Sequence, residues 1–228
     1  MIRPFKVIWY PLILWSGIVY GSCVCWLSVQ AVTIASIFSA PPYLFRPDQI
    51  GLLALESVIG TIFGSLYSGY LTNAWVLRLT RRNGGFREPE YRIYSLIPGA
   101  FFIYGGLLMY GLGSGNGVHG ILPAFGSGCI AVGLAVGGAI MMGFVIGCYK
   151  QITADAITCV IVIRNTMGFA ITFGTIDWIS AQGLQNTFIT MGLLAFTVFM
   201  SGIVVIMFGK KLRVLAAKSY LAFAEKVE

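Results

Sequence analysis

Apolar residues in this chain do not alternate with polar ones as they would on a strand, nor do they mark one face of a surface helix. They come in long runs broken by short polar segments. A run of about twenty apolar residues is what an α-helix needs to cross a hydrocarbon core about 30 Å thick, at about 1.5 Å per residue. The runs predict six spans, at 8–37, 50–76, 93–113, 121–147, 157–178 and 187–208. The longer ones fit a bilayer with some tilt. The expected fold class is all-α integral membrane, with a six-span unit over 1–209 and a basic amphipathic tail over 210–228. The first span is too long, and too aromatic at its start, for a cleaved signal peptide.

Composition removes the main competitor. The 228 residues are 57% hydrophobic and 10% charged, against roughly 25% charged in a soluble domain. A net charge of +7 does not point to nucleic acid, because the basic residues flank the spans and form no separate basic domain. That placement sets orientation, since Lys and Arg concentrate on the cytoplasmic side. Six crossings put Arg3, Lys6, the five arginines between the second and third spans, Lys150 and the five basic residues after the last span on one side. Those are thirteen of the fifteen, so both termini are expected in the cytoplasm. Arg46 alone falls on the other side, and Arg164 lies inside the membrane.

Chemistry of other kinds finds little support. The five cysteines have no ligand spacing, and Cys23 and Cys25, two apart, point away from each other on a helix. They read as small packing residues. His119 has no companion, and no phosphate-cradling loop, metal cluster or nucleophile–base arrangement occurs. No cofactor, no metal and no enzymatic activity are expected. The fourth span carries two G-x-x-x-G pairs, Gly133/Gly137 and Gly143/Gly147, which let another helix approach closely. In the tail, Leu212, Leu215, Tyr220 and Phe223 share helical spacing with lysines between them. That pattern suits a membrane interface or a solvated helix.

The polar residues inside spans carry the functional interest. Arg164 interrupts "ITCVIVIRNTMGFAITF". An intramembrane arginine faces a cavity or a partner, or snorkels to the interface. Glu56 is the carboxylate well inside a span, which makes it the candidate proton-titrating group; a structural salt bridge is the alternative. At their depths, about 10 Å from opposite faces, Glu56 and Arg164 are separated by about 10 Å along the membrane normal. Asn165, Thr166, Gln30 and Thr33 are further polar groups within spans.

Between the second and third spans the chain reads "SGYLTNAWVLRLTRRNGGFREPEYRIY": a helix end at Gly69 and Asn73, a basic cluster, a Gly-Gly turn, then charges of alternating sign. This resembles the loop after the eighth helix of fungal major facilitator superfamily transporters, in the drug:proton antiporter-like branch. There a degenerate G-x-x-x-(D/N)-(R/K)-x-G-(R/K)-(R/K) signature is followed by R-R-N-G-G-x-x-E-P-E-x-R. Gly69 takes the first glycine, Asn73 the acid or amide, and Arg78, Arg81 and Arg82 the basic end. Ala74 stands where a basic residue is expected, and the inner glycine is missing. "APPYLF", "IRNTMGFAITF" and "GLQNTFI" resemble the same family in the same order.

The resemblance implies a twelve-helix fold of two six-helix halves with the substrate site between them near the midplane. It covers the second half only. The implied function is secondary, proton-coupled transport of a small molecule or ion across the plasma membrane. Glu56, Arg164, Asn165, Gln30 and Thr33 would then be pathway candidates and Gly69, Asn73, Arg78, Arg81 and Arg82 a cytoplasmic signature-like loop. A non-transporting remnant or membrane assembly partner is the alternative. The implied partners are the bilayer, the substrate, protons, and a missing N-terminal half or a second copy. On that view Gln30, Glu56 and Arg164 should stand exposed, facing the absent half.

Overall fold

The computed structural model describes residues 8–86 and 88–224, with side chains through Gly209. Arg3, Lys6 and Arg87 lie outside the described residues, as does the end of the tail from residue 225, and the amphipathic faces read for 210–228 lie outside the described side chains. Six helices are long and apolar enough to cross a membrane: α1 Pro11–Ser39, α2 Pro47–Arg82, α3 Leu96–Gly115, α4 Ile121–Cys148, α5 Thr153–Gln182 and α6 Leu184–Ala224, the last apolar as far as Gly209. A 3₁₀ turn, Pro89–Ser95, leads into α3.

The helix starts follow from local chemistry. Pro11 and Pro47 sit in the first turns of α1 and α2, where a missing N–H costs nothing. At the second of these, the Arg46 N–H donates to Gln49 Oε1 at 3.0 Å, and Asp48 places a negative charge at the helix N-terminus. Gly69 and Asn73 do not end α2, as the sequence suggested. The helix widens into a π turn at Tyr67–Leu71 and runs on to Arg82, where Asn83 closes it. A glycine in a helix costs only about 1 kcal/mol, and the Thr72–Arg82 segment has helix-forming Leu, Ala and Arg to carry it further. Gly69, Asn73, Arg78, Arg81 and Arg82, read as a loop, therefore stand on one continuous helix.

α4 is the central helix, packed against α3, α2 and α1; α5 lies on α1, and α6 on α3. Small residues on α4 and its neighbours make this possible. A side chain at Gly60 of α2 would run into the Gly128 carbonyl of α4, and a Cβ at Gly64 would lie 2.7 Å from the Cβ of Ala135. Gly106 of α3 meets the Gly126 carbonyl at 2.7 Å on the same measure. Both α4 pairs picked out in the sequence are packing sites, but for several partners. Gly133 takes Ile103 of α3, Gly137 takes Cys23 and Phe199, Gly143 takes Arg92 and Gly147 takes Pro89. The result is one continuous core in which Ile103, Leu107, Ile130, Val136, Phe144 and Phe188 are fully buried. At the end of the bundle near Ser39, the Tyr43 hydroxyl donates to the Val118 carbonyl at 2.6 Å, tying the α1–α2 turn to the α3–α4 turn. α1 and α4 bury most of their apolar length, whereas α2 and α5 bury little.

Candidate functional site

Two polar clusters lie within the apolar bundle, and α1 contributes to both. In the first, Gln30 Nε2 donates to Glu56 Oε1 of α2 over a long 3.4 Å. One turn on, Thr33 Oγ1 donates to its own helix at the Val29 carbonyl, 2.9 Å away. A hydroxyl has a single proton, so the 3.2 Å contact between Thr33 Oγ1 and Tyr110 OH of α3 is a bond donated by Tyr110. Tyr110 is fully buried against Phe188, ring centroids 5.1 Å apart. Ser127 of α4 completes the group beside the Glu56 carboxylate. Gly128 has no side chain, so α2 can settle there, its Glu56 carbonyl 3.5 Å from where a Cβ would stand. Four helices thus bring one polar residue or more to a common point.

The cluster is incompletely satisfied. Gln30 Oε1 and Glu56 Oε2 are both buried, and neither has a hydrogen-bond partner. Two acceptor oxygens without donors, inside a bundle that crosses lipid, are costly. A proton on Glu56 would supply the donor that the amide oxygen lacks, and acid and amide would then be able to form two complementary bonds.

The second cluster surrounds Arg164 of α5. Its Nη1 donates to Tyr20 OH at 3.0 Å, its Nε donates to Asn165 Oδ1 at 3.1 Å, and its guanidinium carbon lies 4.9 Å from the Tyr20 ring centroid. Gly21 lets α1 approach the α5 backbone, since a Cβ there would be 3.3 Å from Arg164 Cα, and Gly138 of α4 leaves room for the Tyr20 ring. No carboxylate pairs with Arg164 among the described residues. Cation–π contact, and hydrogen bonds accepted by the Tyr20 hydroxyl and the Asn165 amide oxygen, stabilise the charge in its place. Tyr20 and Gln30 are ten residues apart on α1, so the clusters stand about 15 Å apart along the bundle. Glu56 and Arg164 are not brought together.

One expectation needs correction. Gln30 is not exposed toward a missing half; it is 3% exposed, because it packs against Glu56 inside this chain. Thr33 is likewise buried, beside Tyr110. Within this chain Tyr20 and Asn165 hold Arg164. Glu56 and Arg164 are half-buried and Asn165 exposed. Gly69, Asn73, Arg78, Arg81 and Arg82 are all exposed on α2. Sequence reasoning missed Tyr20, Tyr110 and Ser127. A tyrosine in a span was the available signal, since its hydroxyl needs a partner where no water reaches.

This is a helical, multi-pass integral membrane protein. Over 98% of its length it is 29% identical to an uncharacterized MFS-type transporter of Schizosaccharomyces pombe. It is 26% identical over 93% of its length to protein HOL1 of Saccharomyces cerevisiae, and 26% identical over 88% to the MFS transporter cpaT of Aspergillus oryzae. The chain spans 38%, 36% and 39% of these relatives, respectively. Its homologues are fungal major facilitator transporters, and its six helices are consistent with the C-terminal half of that twelve-helix fold. No family model matches the chain, and no solved structure does.

Proposed function

We propose that this chain is the C-terminal six-helix half of a secondary transporter that moves a small molecule or ion across the plasma membrane with proton coupling. The observation that carries the coupling is the Gln30–Glu56 pair, with an unpartnered oxygen on each side. A proton on Glu56 supplies the donor for a second hydrogen bond between α1 and α2; without it one bond stands beside two buried acceptors that lack donors. Proton occupancy therefore biases how tightly the two helices hold each other, which is the differential interaction a two-state transporter requires. Arg164 and Asn165 present the fixed charge and amide of the pathway. The exposed apolar side chains of α5, among them Phe169, Phe173 and Ile176, are the surface for the first half or for a second copy. Residues 1–209 form the transport unit and 210–228 a cytoplasmic tail.

The test is uptake by cells expressing the chain together with a six-helix first half, screened over a panel of small solutes. At least one solute should enter faster than with either half alone, and a protonophore should remove the gain. A gain that survives the protonophore sinks the coupling, and no gain for any solute sinks transport.

The distribution of Lys and Arg supports a topology with both termini on the cytoplasmic side. With the five native cysteines replaced, single cysteines at Arg87 and His119 should respond oppositely to an impermeant thiol reagent on intact cells. His119→Cys should label and Arg87→Cys should be protected; the reverse pattern would invert the topology.

A further inference from the structure

One face of α2 carries two concavities, and of the two polar clusters only Glu56 reaches them, at one end. The first is an open groove of about 840 Å³ between α2, α3 and α4. Its walls are apolar side chains such as Ile59, Phe63, Phe102 and Phe125, and Glu56 lies at the end nearer Pro47. The second, of about 650 Å³, is lined by Trp75, Arg78, Arg81 and Arg82. Leu71 lines both, so the two adjoin along the helix. Residues 71, 75, 78 and 82 follow at three- and four-residue steps, the spacing of one helix face.

The dimensions and chemistry match one class of ligand. Leu71 and Ile59 are twelve residues apart, about 18 Å on a helix, against about 15 Å for the hydrocarbon of one leaflet. Trp75, 47% exposed, stands directly before the arginines, the order found where a helix leaves hydrocarbon for headgroups. Arg78, Arg81 and Arg82 are exposed and have no hydrogen bond or ion pair among the described residues. A packing helix would fill the groove but leave three cations within two turns unneutralised. A free phosphate would neutralise them and leave the groove empty.

We propose that this face of α2 binds a single phospholipid with an anionic headgroup. Its phosphate and headgroup acid rest on Arg78, Arg81 and Arg82, whose guanidinium forks suit phosphate oxygens. An acyl chain lies in the groove past Leu71 and Phe63. The site stands independently of the transport reading.

The test uses the full chain in detergent micelles, titrated with phosphatidylserine brominated on its acyl chains. Quenching is read as the signal that Trp75→Phe removes. Saturable quenching at one lipid per chain is expected, with brominated phosphatidylcholine on the order of a hundredfold weaker. At about fivefold per basic residue, the triple variant R78Q/R81Q/R82Q should weaken phosphatidylserine on the order of a hundredfold, down to the level of phosphatidylcholine. Ala124→Phe, which fills the groove without altering charge, should weaken it too, and millimolar inorganic phosphate should not displace the lipid. Equal affinity for the two lipids overturns the proposal. So does displacement by phosphate with Ala124→Phe indifferent, which would mark a phosphate-only site, and so does an unaffected triple variant. If the triple variant does not fold, Ala124→Phe decides alone, and unchanged affinity there ends the idea.

Discussion

Glu56→Gln is expected to leave folded protein at wild-type levels while removing the pH dependence of uptake and strongly reducing gradient-driven rates, because an intramembrane relay carboxylate acts by taking up and releasing a proton. The two effects separate because glutamine keeps the geometry and loses the titration. Its amide oxygen accepts from Gln30 Nε2 as Glu56 Oε1 does at 3.4 Å. Its amide nitrogen offers the donor that the buried Gln30 Oε1 lacks, so the variant imitates the protonated state permanently. Glu56→Ala is a different experiment. It strands the Gln30 amide in an apolar setting at a cost of about 1–3 kcal/mol, and folded yield should fall with activity. Measuring uptake from pH 5 to pH 8 alongside surface expression distinguishes the cases. A glutamine variant with the wild-type pH profile would remove Glu56 from the coupling mechanism.

What the sequence made legible depended on whether a feature is local. Span number and class follow from run length alone, because each helix must satisfy its backbone internally to cross lipid. Helix ends were read less well. Hydropathy reports the hydrocarbon boundary, and α2 continues eleven residues past the π turn as Thr72–Arg82, while α5 begins at Thr153 rather than 157. Polar residues beyond the hydrocarbon still make helical hydrogen bonds, so chemistry changes there and backbone conformation does not. Glu56, Gln30, Thr33 and Arg164 stood out one by one, since a polar group in an apolar run is conspicuous. That Gln30 faces Glu56, and that Thr33 faces Tyr110 across 77 positions, depends on the packing of four helices. Seen alone, Gln30 suggested exposure toward an absent half where packing produced burial. Tyr20 and Tyr110 look like ordinary core aromatics until their hydroxyls are placed.

Arg164 is where the physical alternatives diverge most. It lies seven residues inside the apolar run that starts at 157, about 10 Å along the helix, a depth from which an arginine can face a cavity or snorkel to the interface. Its charge is held by a ring face and a hydroxyl, with no carboxylate among the described residues. Such a site keeps its positive field, whereas a salt bridge would neutralise it, so an anionic group on the substrate or on an apposed half can still be attracted to it. Removing the side chain should therefore cost transport far more than stability. Arg164→Ala is expected to reduce uptake on the order of a hundredfold, as loss of a charged-group interaction of about 1.5–3 kcal/mol allows, with surface expression nearly unchanged. The fold gives up the cation–π attraction to Tyr20, about 0.5–2 kcal/mol, and hydrogen bonds to Tyr20 and Asn165, which are half-buried and exposed, respectively, and can turn to water. Arg164→Lys should recover part of the rate, because one ammonium cannot stack on Tyr20 and reach Asn165 together as the planar fork does. Tyr20→Phe keeps the ring and deletes the 3.0 Å bond, and should fall between wild type and lysine. If Arg164 merely anchors α5 at the interface, lysine will be indistinguishable from wild type and Tyr20→Phe silent. Uptake and expression for the three variants, measured side by side, decide between a pathway charge and an anchor.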